Sequence, residues 1–173
     1  MSLIYVTGAP GAGKTTLQKE LSARGCDTRD IDNSGLGGPY NKSTNKQVII
    51  PPADQRSPEW FEAHEWRVDP VAFDTLKTEA ATKDIIVCGV AASDDQILHV
   101  FDKIIYLNVD DAALINRLNS RIDNDYGKND FEQQEILKRK HGLDIKYASA
   151  DAIHVNANKS LPEVVDEILS HIR

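Results

Sequence analysis

The feature that most constrains this chain is a glycine-rich loop from Gly8 to Thr15 that follows the pattern GxxxxGKT. Such a loop requires a strand before it and a helix after it, because its backbone N–H groups must curl around an anion at the helix N-terminus. Both flanks are present. Residues 3–6 form an apolar, β-branched and aromatic run, and Leu17 and Leu21 lie four positions apart, as on one face of a helix. The sequence therefore predicts a strand, a phosphate-binding loop and a helix, in that order.

The loop predicts contacts with a nucleoside triphosphate. We expect Lys14 to reach the β and γ phosphates and the Thr15 hydroxyl to ligate Mg²⁺. The alternative is a glycine-rich turn that binds nothing. The nucleotide-binding residues predicted from the loop are Gly8, Ala9, Pro10, Gly11, Ala12, Gly13, Lys14, Thr15 and Thr16.

Composition narrows the class of protein. The 173 residues suit a single domain over 1–173, with 40% hydrophobic and 27% charged residues and no apolar run near the roughly 18 residues that span a bilayer. A net charge of −7 argues against wide binding to a nucleic-acid backbone. No signal-peptide pattern precedes the first strand, so we expect a cytoplasmic protein. We expect Cys26 and Cys88 to be small buried hydrophobic residues in a reducing compartment.

Apolar runs alternate with helical patterns along the chain. Strands are expected at 26–30, 85–90, 103–109 and 152–155. Helices are expected at 69–82, 110–121, 130–142 and 161–172, the last opened by a capping box of Ser160 and Glu163. Strands separated by helices predict a mainly parallel sheet covered on both faces.

One long stretch, residues 33–58, carries glycines and prolines and no clear pattern. Loops of this length are usually functional, so we expect residues 33–67 to form a substrate-binding insert. Within it, Trp60 could line a pocket, and Arg56 or Arg67 could take an anionic group. The alternative is that one or both tryptophans pack in the core.

Two carboxylates, Asp30 and Asp32, follow the second predicted strand. Ligands bind beyond the carboxyl ends of strands in such sheets, and alternation places both side chains on one side, with Ile31 turned into the core. We expect Asp30 to hold Mg²⁺ through water, and Asp32 to accept the proton of a substrate hydroxyl or to form a hydrogen bond with it. The alternative is a solvated acidic turn.

The third predicted strand lacks the acid that motor-type ATPases carry at its end, and Gly89 follows it instead. A glycine there would let a substrate approach the backbone closely, so Gly89 is a candidate substrate contact. Asp94 and Asp95 are expected to cap the next short helix.

Arg117 and Arg121 lie four apart on the helix after the fourth strand, and the polar residues 122–130 follow them. This pattern favours a lid that brings guanidinium groups and Lys128 over a bound nucleotide. The alternative is a charged surface helix with a solvated turn. Beyond the lid, Asp130 is expected to cap a helix that ends near Gly142, with Glu135 and Arg139 as a surface pair.

In this order the motifs resemble those of the small P-loop kinases, the group of shikimate, gluconate and adenylate kinases. The resemblance covers nearly the whole chain. It implies an α/β, three-layer P-loop NTPase fold with a small lid and a five-stranded parallel sheet in the order 2-3-1-4-5. It also implies ATP and Mg²⁺ as cofactors and places the loop after the last strand, with Asn156 and Asn158, beside the adenine.

The expected activity is transfer of the γ-phosphoryl group of ATP to a small-molecule hydroxyl, nucleoside or nucleotide by a monomer or homodimer. The expected catalytic residues are Lys14, Asp30, Asp32, Arg117 and Arg121. The expected substrate contacts are Asp32, Trp60, Arg67 and Gly89, and the expected metal ligands are Thr15 and Asp30. The alternative is a regulatory module that binds nucleotide or hydrolyses it slowly, without an acceptor.

Overall fold

The computed structural model describes residues 1–52, 55–122 and 124–172. The strands are β1 (Leu3–Thr7), β2 (Asp27–Asp30), β3 (Gly37–Asn41), β4 (Lys46–Gln47), β5 (His64–Val68), β6 (Ile85–Cys88), β7 (Lys103–Asn108) and β8 (Ile153–Asn156). The helices are α1 (Lys14–Ala23), α2 (Pro58–Ala63), α3 (Pro70–Ala80), α4 (Asp111–Ser120), α5 (Asp130–Ser149) and α6 (Leu161–Ile172). No helix in these ranges is long and apolar enough to cross a membrane.

The main sheet has five parallel strands in the order β2-β6-β1-β7-β8. Counted among themselves along the chain, these strands run 2-3-1-4-5. The predicted α/β fold class is confirmed. Because β1 lies in the centre, the glycine-rich loop leaves the sheet at the middle of its carboxyl edge.

Alternation along the strands divides the core into two apolar clusters. The cluster that contacts α1, α4 and α6 includes Ile4, Val6, Ile86, Cys88, Ile105 and Leu107. The cluster that contacts α3 and the second half of α5 includes Leu3, Tyr5, Ile85, Val87 and Tyr106. Successive side chains of a strand point to opposite faces, so each buried strand supplies both clusters, and helices must cover the sheet on both sides.

Residues 33–58 contain two strands, β3 and β4, that their composition did not predict. An antiparallel sheet in the order β4-β3-β5 projects from the domain, and β3 contains Gly37, Gly38 and Pro39. A Cβ at Gly37 would meet the Arg67 carbonyl oxygen at 2.5 Å and Ile31 at 2.9 Å, so close packing requires glycine there. Pairing with β5 stabilises a strand whose residues have poor intrinsic strand propensity.

Helix α5 differs from its predicted form at both ends. It runs through Gly142 to Ser149, because Leu143 and Tyr147 bury one face beyond the glycine. A Cβ at Gly142 would have nothing within 4 Å, so no close packing requires glycine there, and the helix continues past it. The N-cap is Asn129 rather than Asp130, and the Asn129 side chain accepts a hydrogen bond from the Glu132 N–H at 2.8 Å.

Asp94 caps no helix, contrary to prediction. Its carboxylate is fully buried and accepts hydrogen bonds from the hydroxyl groups of Tyr147 at 2.6 Å and Tyr5 at 3.3 Å. Lys146 pairs with both Asp94 and Asp95. Burial and the neighbouring carboxylate raise the pKa of Tyr5 well above its ordinary value. The cluster joins α5 to the centre of the sheet.

The Asp94 cluster provides a stability test. Replacing Asp94 with alanine is expected to lower the free energy of unfolding by about 3 kcal/mol, because two buried tyrosine hydroxyls lose their acceptor and Lys146 loses its buried partner. Asp95, whose side chain is 72% exposed, shares the same lysine, and Asp95→Ala is expected to cost less than about 0.5 kcal/mol. Urea unfolding of both variants measures the difference, and equal losses would contradict this account.

Candidate active site

The glycine-rich loop leaves the N-terminus of α1 open to an anion. Gly13, at the N-cap, has φ +100° and supplies no side-chain cap, and the first turn of α1 carries no acidic residue. Gly11 has φ +89°, and a Cβ there would meet Leu114 and Leu118 of α4 at 2.9 Å each. Glycine is therefore needed at both positions, and the uncapped N–H groups with the helix dipole favour a bound phosphate.

Lys14 bonds to the loop itself and is influenced by charged side chains from other elements. Its ammonium donates hydrogen bonds to the carbonyl oxygens of Gly8 at 2.8 Å and Ala9 at 2.9 Å. Burial, with a smaller contribution from the positive charge of Arg139, lowers the pKa of Lys14 to about 8, and Asp32 and Asp30 oppose the shift. Lys14 therefore lies in the fields of two carboxylates and an arginine.

The two predicted carboxylates have different surroundings. Asp30 Oδ1 accepts hydrogen bonds at 3.0 Å from the backbone N–H groups of Asp32 and Asn33 and from the Asn33 amide, so it closes a turn. Asp32 Oδ1 accepts a hydrogen bond from the Trp66 indole N–H at 2.8 Å. Burial raises the pKa of Asp32, and the indole hydrogen bond opposes the rise. Ile31 between them is fully buried, as expected.

A magnesium ion is compatible with these residues only together with phosphate oxygens. Within the described ranges, no group of three or more His, Cys, Asp and Glu side chains is placed to hold a metal. Thr15 is exposed in the first turn of α1, and Asp30 retains Oδ2 outside its turn. A hydroxyl, one carboxylate, phosphate oxygens and waters form the hard oxygen set that Mg²⁺ prefers.

A pocket of about 420 Å³, called the donor pocket, opens beside the glycine-rich loop. Arg117 of α4 spans one wall, where its guanidinium donates to the carbonyl oxygens of Ala12 at 3.1 Å and Ala157 at 2.5 Å. The donor pocket is lined by residues of the loop and α1 and by Arg117, Ser120, Arg121, Ala157, Lys159 and Leu161, among others. Arg117 therefore fixes the loop against the segment that follows β8.

Asn156 and Asn158 shape this last segment through contacts with each other. Asn156 Oδ1 accepts hydrogen bonds from the backbone and side-chain amides of Asn158 at 3.0 Å, and Asn158 Oδ1 accepts from the Asp110 N–H at 3.1 Å. Ala157 and Lys159 line the donor pocket instead. Direct contact of the two asparagines with a nucleotide stays a prediction.

The predicted lid, residues 122–130, contains Asp123, which lies outside the described residues. Arg121 lines the donor pocket and donates to the Tyr126 carbonyl. Lys128 does not extend over the pocket. Its ammonium donates to the carbonyl oxygens of Asn119 at 2.7 Å and Arg121 at 2.5 Å, so it caps the C-terminus of α4.

Three predicted substrate contacts, Trp60, Arg67 and Gly89, lie against other residues of the protein. Trp60 stacks on His64 with ring centroids 4.5 Å apart. Arg67 contacts Glu65 and Asn45, because alternation along β5 turns it away from the neighbouring Trp66. A Cβ at Gly89 would lie 2.6 Å from Ile31, so packing against the core requires glycine there, and contact of Gly89 with a substrate stays a prediction.

Sequence reasoning missed Trp66 and Arg139. Arg139 was expected in a surface pair, yet its charge acts on Lys14 and Asp32, and its Nη2 is buried with no hydrogen-bond partner in the described part of the chain. A signal was available, because Arg139 follows Ile136 by three positions and precedes Leu143 by four, which places it on the buried face of α5. Trp66 gave no such signal, because its partner lies 34 residues away.

Comparison with known proteins agrees with this geometry. The sequence model of a family described as an AAA domain matches residues 4–138. The chain belongs to this AAA domain family. No curated protein matches the chain.

Solved kinase structures share the fold at low sequence identity. Shikimate kinase from Bacteroides thetaiotaomicron is 18% identical with a TM-score of 0.61, over 98% of this chain and 97% of that one. Deoxyadenosine kinase from M. mycoides with bound dATP is 16% identical with a TM-score of 0.55, over 98% of each chain. A gluconokinase from Sinorhizobium meliloti 1021 is 16% identical with a TM-score of 0.53, over 96% and 89%. The chain therefore has the fold of P-loop kinases.

The lowered pKa of Lys14 predicts a pH dependence of nucleotide binding. Phosphates favour the charged amine, so affinity for ADP is expected to fall as the pH rises above about 8, and binding there is expected to take up a proton. Calorimetry in buffers of different ionisation enthalpy measures both effects. Lys14→Arg, which stays charged, is expected to remove the pH dependence. Proton-neutral binding by the wild type in this range would contradict the assignment.

Proposed function

We propose that this protein is an ATP-dependent phosphotransferase that moves the γ-phosphoryl group of ATP to a small-molecule acceptor. The observation that carries the proposal is the environment of Asp32. Its carboxylate accepts a hydrogen bond from the Trp66 indole, is partly desolvated, and is electrostatically coupled to Lys14 of the phosphate-binding loop. A carboxylate in that position can orient an acceptor hydroxyl toward the phosphate that Lys14 binds.

Catalysis on this geometry consists mainly of positioning and charge neutralisation. The N–H groups of the glycine-rich loop and Lys14 bind the donor phosphates. Arg117 and Arg121 border the donor pocket, and Arg139 brings positive charge to the same region from α5. These cations would stabilise the negative charge that spreads over the transferring group. Asp32, with its raised pKa, would accept the proton of the acceptor hydroxyl as the O–P bond forms.

Magnesium would supply charge neutralisation at the donor phosphates. Thr15 is the proposed direct ligand. Asp30 is the proposed partner of a metal-bound water through Oδ2, since Oδ1 is held by three N–H donors within its turn. The insert, residues 33–67, is the proposed acceptor side, since it supplies Trp66 to Asp32. The part of it at residues 53–54 lies outside the described residues.

A regulatory nucleotide-binding module is the second candidate. The Asp30 turn favours it, because a carboxylate that closes a turn has a structural role without a metal. The strand β6 ends at Cys88 and is followed by Gly89, so it carries no acid of the kind that helps hold the metal in a motor-type ATPase. The two candidates differ in one measurable respect, namely whether ADP release depends on an acceptor.

Acceptor-dependent ADP release tests the proposal directly. Turnover is expected with at least one member of a panel of nucleosides, nucleoside monophosphates, sugar acids and hydroxy acids. Lys14→Ala is expected to lower kcat/KM by at least about 100-fold while the fold survives, because the phosphates lose their buried cation. Lys19→Ala, an exposed lysine on the same helix, is the matched control and is expected to be silent. Full activity of Lys14→Ala would refute the proposal.

Trp66 provides a sharper test of Asp32. Trp66→Phe retains an aromatic side chain but removes the N–H that lowers the pKa of Asp32. The acidic limb of the kcat/KM profile, where Asp32 must be ionised, is therefore expected to move to higher pH, with about a tenfold loss on that limb. Asp32→Asn is expected to abolish the limb altogether. An unchanged profile in Trp66→Phe would remove Asp32 from the proposed role.

A further inference from the structure

Arg56 of the insert is buried against residues 124–130, called the lid segment, and against the first turn of α5. Its side chain is only 4% exposed, and its Nε donates to Glu132 Oε1 at 3.0 Å. Its Nη1 donates to Asp125 Oδ1 at 3.1 Å. Sequence reasoning offered Arg56 as a contact for a substrate anion, but these carboxylates already occupy two of its three nitrogens. The arginine therefore joins two parts of the chain that are 76 residues apart.

Glu132 uses its second oxygen to hold the lid segment itself. Glu132 is fully buried, and Oε2 accepts the Gly127 N–H at 2.6 Å. Gly127 has φ +88°, and a Cβ there would meet Ile136 at 2.8 Å and Leu118 at 2.9 Å. One buried carboxylate thus fixes a tightly packed turn of the lid segment on one side and the insert on the other.

The same turn continues to the donor pocket. The carbonyl of Tyr126, next to Gly127, accepts a hydrogen bond from Arg121, and Arg121 lines the donor pocket. The contacts therefore run from the insert through Arg56, Glu132 and the turn at residues 126–127 to Arg121. This path connects the proposed acceptor side with the donor side without passing through the main sheet.

Packing alone does not require these charges. Phe61 of α2 lies 5.8 Å from Tyr126 and 6.0 Å from Phe131 between ring centroids, so the insert and the lid segment already share apolar contacts. A buried ion pair adds little net stability over apolar residues of similar volume, because both ions lose hydration. What the pair adds is direction, since the planar guanidinium donates to Glu132 and Asp125 at once, and Glu132 accepts from Arg56 and Gly127 at once.

We propose that the buried ion pair of Arg56 and Glu132 is a positioning device that couples the insert to the lid segment and holds Arg121 at the donor pocket. The proposal rests on the proposed function for its catalytic consequence. The coupling itself concerns only the chain and a nucleotide. Arg56 and Glu132 are positioning residues, because neither lines the donor pocket.

Hydrogen–deuterium exchange with ADP and Mg²⁺ tests the coupling without any turnover. In the wild type, saturating ADP is expected to slow amide exchange both in residues 124–132 and in residues 55–63, although the latter do not line the donor pocket. Arg56→Met is expected to abolish the effect at 55–63 while the affinity for ADP changes less than about threefold. Asp125→Asn, which keeps the Glu132 contact, is the matched control and is expected to retain protection.

Two results would overturn the coupling. One is unchanged exchange at 55–63 in the wild type with saturating ADP, which requires no variant to fold. The other is persistent protection there in Arg56→Met. A lack of acceptor-dependent turnover in the wild type would refute the proposed function and leave these exchange results interpretable.

Kinetics separate positioning from simple stabilisation. Arg56→Met and Glu132→Gln are each expected to lower kcat about tenfold with the KM for ATP changed less than about threefold, since the glycine-rich loop still binds the nucleotide while Arg121 would no longer be held for the transferring group. The double variant is expected to lose no more than either single variant, because both break one link. Additive losses, or losses confined to KM for ATP, would contradict the positioning role.

Discussion

The structure depends on the complete burial of β1. This strand is paired with β6 on one side and β7 on the other, and its two faces belong to different apolar clusters. With neighbours on both edges and packing on both faces, its carboxyl end has little freedom. The loop that follows is therefore held at a fixed point of the sheet edge, where Gly11 packs against α4 and Gly13 opens α1.

Charged residues from three parts of the chain surround that point. Asp30 and Asp32 lie at the end of β2, Arg117 and Arg121 in and directly after α4, and Arg139 in α5. The three groups lie far apart along the chain, and the charges of Arg139, Asp32 and Asp30 all act on Lys14, whose pKa is lowered mainly by burial. Helix α5 is the least obvious contributor, and it is anchored by the buried cluster of Asp94, Tyr147 and Lys146.

Local sequence signals predicted most of the main sheet and the helices that cover it. Runs such as 85–88 and 104–107 can be recognised because every side chain in them is apolar or aromatic. The small sheet was missed for the opposite reason. Gly37, Gly38 and Pro39 have the composition of a loop, and they form a strand only because β5 pairs with them. The end of α5 was misplaced because the burial of Leu143 and Tyr147 outweighs the poor helix propensity of Gly142.

The sequence by itself determined the phosphate-binding loop, its flanking strand and helix, the parallel α/β class and the position of the two carboxylates after β2. These follow from spacing within a few residues, where backbone geometry alone relates neighbours. Only the tertiary structure decided that Trp66 rather than Trp60 meets Asp32, that Arg139 faces Lys14, and that Arg56 pairs with Glu132. Such contacts join residues tens of positions apart, and they depend on how the insert, the lid segment and α5 pack together.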